Sequence, residues 1–198
     1  MVYPHLAKNQ LKIHYQLIKQ KYGLVIHETS SLIPTNNNTN TNLNYEKDGW
    51  AGVYIEQGIH DKPTVLVYAL MPNYQKLATA YHEVGHHLCY QNNCYCGNRP
   101  AIGEAHADKF TLQILLDNQF YSILLDYMLD LCIRVNDWTG LYHTGAKQLQ
   151  TFAIWGKIQH TLLQELKTHR KTHSCPNQIL RNLAITKFLK KFHRTKQR

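Results

Sequence analysis

The segment His82-Glu83-Val84-Gly85-His86 sets two imidazoles four positions apart, with a carboxylate beside the first. On a helix of about 3.6 residues per turn, positions i and i+4 share a face, so both rings can ligate one zinc ion from a single rigid element. Glu83 lies about 100° further round and can reach water beside the metal instead of the metal itself. That combination encodes hydrolysis: the cation lowers the pKa of water, and the carboxylate takes the proton and later passes it to a leaving amine.

Two imidazoles leave such an ion short of a protein ligand, and Glu104-Ala105-His106-Ala107-Asp108 offers one. The Glu-x-x-x-Asp spacing places Glu104 and Asp108 on one face of a following helix, so Glu104 can bind the metal while Asp108 accepts a hydrogen bond from a ligand imidazole. His106 competes for the third position; a three-histidine site would change the class of zinc enzyme and leave the basic chemistry unchanged. The carboxylate pairing is preferred because it accounts for two residues and His106 for one. His87 points about 100° away from His86 and is expected to pack or face solvent.

Peptide hydrolysis also needs a group that stabilises the tetrahedral oxyanion. Tyr95, His106, Tyr142 and His143 are the candidates, and nothing in the sequence ranks them. Cys94 and Cys96, with Cys89 and His87 close by, have the residue types of a second zinc site, but the Cys-x-Cys spacing lacks a matching pair downstream. Free thiols in or beside a loop are the simpler reading. Five scattered cysteines, an odd number, fit a reducing compartment.

Elements that could carry these residues follow from periodicity. Ala7, Leu11, His14 or Tyr15, Ile18 and Tyr22 recur at helical spacing and predict a helix over residues 4–20, followed by a strand over 24–28. An Asn-rich run at about residues 35–44 reads as a surface loop. Segments 52–56 and 64–70 are extended, and the seven residues between them suit a hairpin connection, which predicts a small antiparallel or mixed sheet. Leu77, Tyr81, Val84 and Leu88 mark the buried stripe of a helix over 73–90 that bears the histidines. A turn over 89–100 and helices over 103–116, 120–135, 146–168 and 177–193 complete the chain. Strands between helices, and helices alone thereafter, make the class α+β.

With 198 residues and 43% hydrophobic side chains, the chain can build one ordinary core. Residues 1–140 are expected to form the catalytic domain, and residues 141–198 a helical extension packed on it. No apolar run approaches the roughly 20 residues that cross a bilayer, and the N-terminal residues mix lysines with apolar side chains, so no membrane partner and a cytoplasmic location are expected. The formal net charge of +9 is unevenly placed: ten Lys and Arg and no acidic residue occur in residues 166–198. That tail could contact nucleic acid through phosphates, or serve as a solvated end that maintains solubility.

Taken together, these residues resemble the ImmA/IrrE family of zinc metallopeptidases. The resemblance spans about residues 11–116 and rests on His-Glu-Val-Gly-His-His-Leu and on Glu-x-x-Ala-Asp-x-Phe at Glu104, Ala107, Asp108 and Phe110. It implies a zincin-like fold with the sheet packed on the histidine helix, one zinc ion held by His82, His86 and Glu104, and Glu83 as general base. It also implies an intracellular protein substrate, such as a DNA-binding transcriptional repressor. The Asn-rich loop, the segment after Phe110 and the basic tail depart from the family pattern. Two functions are therefore carried forward: an endopeptidase pairing an extended substrate with the 64–70 strand, or a nucleic-acid- or protein-binding module in which zinc is structural or vestigial.

Overall fold

The computed structural model describes residues 5–30, 51–59, 62–92, 99–137, 148–149, 151–158, 160–161 and 164. Helix α1 spans Lys8–Tyr22 and buries Leu11, His14 and Ile18 along the expected stripe. It starts after Ala7, whose N–H donates to the Gln10 side chain at 3.2 Å, and stops at Gly23, which adopts a left-handed φ of 70°. Strand β1 (Val25–Thr29) follows at once.

Strands β2 (Gly52–Ile55) and β3 (Thr64–Tyr68) pair antiparallel, with Val53 opposite Leu66 and Ile55 opposite Thr64. Their connection is closed by Thr64 Oγ1, which accepts from Ile59 N–H and donates to the Lys62 carbonyl. β1 joins on the other side of β3 in parallel, giving a mixed sheet of order β1-β3-β2. The fold is thus α+β and mostly helical, with one three-stranded mixed sheet among the described residues.

This order overturns one expectation. Both sides of Thr64–Tyr68 are occupied by neighbouring strands, so the segment cannot receive a substrate by main-chain pairing. Its buried run Thr64-Val65-Leu66-Val67 is that of a central strand. Among the described residues, the edge on the β2 side is β2 itself.

Helices α2 (Asn73–Gln91), α3 (Pro100–Asp117) and α4 (Tyr121–Asp137) follow. α3 begins three residues earlier than periodicity predicts, because Pro100 occupies the first helical turn, where a missing N–H costs nothing. Leu77, Val84, Leu112, Leu115, Leu124, Met128 and Leu131 are fully buried in one cluster that also takes in Leu149, Trp155 and Ile158. Each such side chain contributes about 1.5–3 kcal/mol by leaving water. A Lys76–Glu28 ion pair of 2.6 Å ties α2 to β1.

The expected continuous helix over 146–168 is interrupted. Residues 151–152 form a turn and bend before the helical segment 153–158, and the N–H groups of Thr151, Phe152 and Trp155 bond three residues back rather than four. The Thr151 hydroxyl also donates to the Gln148 carbonyl at 2.7 Å, a local bond that competes with helix propagation. The Asn-rich run, the 177–193 helix and the basic tail lie outside the described residues.

Candidate metal centre

α2 presents His82 and His86 one turn apart, half-buried, while Leu77, Tyr81 and Val84 hold the helix to the core. α3 supplies Glu104. The approach of these helices is set by Gly85, since a Cβ there would stand 2.6 Å from Ala107 Cα and 3.1 Å from Ala107 Cβ. Only the glycine between the two histidines lets α3 come this near.

His82 Nε2 and His86 Nε2 are 3.1 Å apart, His82 Nε2 is 3.2 Å from Glu104 Oε2, and His86 Nε2 is 3.4 Å from Glu104 Oε1. Donors about 2.0–2.1 Å from a tetrahedral zinc are separated by about 3.3 Å, and each of these three contacts is close to that separation, the two Glu104 oxygens each facing one imidazole. Glu104 Oε2 is buried and has no hydrogen-bond partner. A buried carboxylate needs compensating charge away from water, and one whose two oxygens each face an imidazole nitrogen is placed to serve as a metal ligand. His82, His86 and Glu104 therefore form a group able to hold a metal ion.

The electrostatics agree. Burial alone would lower the His82 pKa, but the Asp108 carboxylate, aided by Glu104, outweighs it and pushes His82 up to about 10. Burial alone would raise Glu104, yet the two imidazoles hold it well below the usual carboxylate range. Glu83, 6% exposed, is pushed up by burial, against the pull of His82 and His86. Three carboxylates crowd two imidazoles here, an arrangement that favours positive charge, whether a proton on an imidazole or a bound cation.

Asp108 is completely buried, and its Oδ1 lies 3.0 Å from His82 Nδ1. A neutral imidazole with Nδ1 against a carboxylate carries its proton there and leaves the Nε2 lone pair for a cation. The structure thus brings together His82, Glu83, His86, Glu104 and Asp108. His106 is not in the group: it packs on Phe152 with ring centroids 5.8 Å apart, and its Nδ1 is 3.8 Å from Cys89 Sγ. His87 is buried, with Nδ1 3.0 Å from the Tyr54 hydroxyl. Tyr95, Tyr142, His143, Cys94 and Cys96 lie outside the described residues.

Two contributors carried no chemical signal in the sequence. Tyr127 of α4 donates a 2.6 Å hydrogen bond to Asp108 Oδ1, and its oxygen is 3.0 Å from His82 Nδ1. Its spacing with Leu124, Met128 and Leu131 marks it as a core-facing residue and nothing more. The other is β2. Ala51 accepts from Tyr68 N–H, so by the antiparallel alternation Gly52 and Tyr54 turn their main-chain groups away from β3. The Tyr54 N–H is engaged by the Glu83 carboxylate, and a Cβ on Gly52 would lie 3.3 Å from Glu83 Cγ. The outward edge of the sheet runs beside the general-base candidate.

Comparisons with family models, with curated proteins and with solved structures return no match. Among the described residues no helix is long and apolar enough to cross a membrane.

Proposed function

We propose that this chain is a zinc-dependent endopeptidase of the zincin type. The observation that carries the reading is the convergence of three side chains from two helices, with the Nε2 atoms of His82 and His86 3.1 Å apart, Glu104 Oε2 3.2 Å from the first and Oε1 3.4 Å from the second, and Glu83 beside them. A zinc ion held there would lower the pKa of water and polarise a substrate carbonyl. Glu83 accepts the proton of the attacking water and returns it to the leaving nitrogen; the elevated pKa that burial gives it suits both steps. Asp108 keeps His82 oriented.

An extended peptide adds to the outward edge of β2, where Gly52 offers both main-chain groups and Tyr54 its carbonyl. Such an edge reads main chain, so side-chain preference arises elsewhere. The likeness to the ImmA/IrrE peptidases supports a regulatory protein as substrate, with a transcriptional repressor the first to test. The alternative of a binding module rests on residues 166–198, outside the described residues. The test is Glu83→Gln, which retains one zinc per chain and abolishes cleavage; proteolysis at the wild-type rate by that variant removes the mechanism.

A further inference from the structure

The helix that completes the centre belongs to neither the histidine motif nor the Glu104 segment. We infer that Tyr127 is a positioning residue: acting through Asp108, it holds the His82 imidazole in the tautomer that leaves Nε2 to the metal. The inference rests on the zinc reading above and assigns a role to a residue 45 positions beyond His82.

The geometry is a closed triangle. Tyr127 O–H donates to Asp108 Oδ1 at 2.6 Å, the same oxygen lies 3.0 Å from His82 Nδ1, and the Tyr127 oxygen is also 3.0 Å from that nitrogen. One carboxylate oxygen therefore faces two donors, the phenol and the imidazole N–H. With both in place the carboxylate has one orientation, and the ring plane of His82 follows from it. Asp108 is fully buried, so water cannot readily replace a missing phenol.

Tyr127 is partly buried and packs against the core. Its helical neighbours Leu124, Met128 and Leu131 are all fully buried, which fixes the face of α4 that approaches α2 and α3. The docking of α4 is thereby read out at the metal ligand. A hydroxyl placed only to satisfy Asp108 would leave the His82 tautomer indifferent to its removal; a positioning hydroxyl would not.

The test uses the full chain with Tyr127→Phe, Asp108→Asn and the double variant. Zinc dissociation constants are measured by competition with a chromophoric chelator, and the proton on His82 is located by long-range ¹H–¹⁵N spectra of the zinc-loaded protein. Tyr127→Phe is expected to weaken zinc about 10- to 100-fold. In the Asp108→Asn background the same change should cost much less, because the carboxylate it acts through is gone. The wild-type spectrum should show the His82 proton on Nδ1, exchanging faster with water in Tyr127→Phe.

Wild-type affinity in Tyr127→Phe, or an equal loss in both backgrounds, overturns the inference and leaves the zinc reading standing. A wild-type chain that takes up no zinc defeats both. Should Tyr127→Phe not fold, the wild-type spectrum decides, since a His82 whose Nδ1 bears no proton is incompatible with the proposed role.

Discussion

Ala107 Cα occupies the space that a side chain at Gly85 would need, 2.6 Å from the position of its Cβ. This contact lies one residue from His86 and three from Glu104, so helix packing sets the spacing of the candidate metal ligands. Gly85→Ala sets two effects against each other. Alanine favours a helix interior over glycine by about 1 kcal/mol. The clash is with backbone, which cannot swing aside, and overpacking of this kind costs about 1–3 kcal/mol. The clash should prevail: a lower midpoint in chemical denaturation, and weaker zinc because Glu104 is pushed from the histidines. A stabilised variant with unchanged zinc affinity would show that the helices have room to spare.

Gly52 has the same relation to Glu83, the proposed general base. A Cβ there would meet Thr79 Cγ2 at 2.4 Å, the Leu66 carbonyl at 3.0 Å and Glu83 Cγ at 3.3 Å. Gly52→Ala should keep zinc at one per chain and lower kcat about 100-fold, the scale on which a misplacement of about 1 Å acts. Thr79→Ser removes the offending methyl group. Partial recovery of kcat in the double variant is the expected outcome, measured with any peptide that the wild type cleaves.

His14 governs part of the acid stability. It is buried, its Nδ1 is 2.7 Å from the Tyr81 hydroxyl, and burial lowers its pKa. With the folded pKa below the unfolded value of about 6.5, the unfolded chain binds the proton more readily, so stability falls as pH drops below about 6.5. Buried His87 contributes in the same sense. Replacing His14 by Phe should flatten the fall in thermal midpoint between about pH 6.5 and 5. An undiminished slope assigns the acid sensitivity to other groups.

Much of the site was legible because its spacing is helical. His82, His86, Glu104 and Asp108 each lie one turn from a partner on their own helix, and Leu77, Tyr81 and Val84 announce which face of α2 is buried. What could not be read is what depends on contacts between elements. The parallel pairing of β1 with β3 makes Thr64–Tyr68 central, and only the unbroken apolar run Val65-Leu66-Val67 hinted at it. Tyr127 looks like any aromatic on a core-facing stripe until its hydroxyl is seen against Asp108. The break at Thr151 arises from a hydroxyl bonding the chain three residues back, a local competition that apolar periodicity does not register.

The most direct measurement is a zinc competition titration of the full chain beside its His82→Ala, His86→Ala and Glu104→Ala variants. The wild type should bind one equivalent and gain thermal stability from it, about 4 kcal/mol at a thousandfold excess over the dissociation constant. Each variant should lose more affinity than the about 10- to 100-fold typical of a supporting residue. A wild type that binds no zinc, or a Glu104→Ala variant that binds it as tightly as the wild type, contradicts the convergence of these three side chains on one cation.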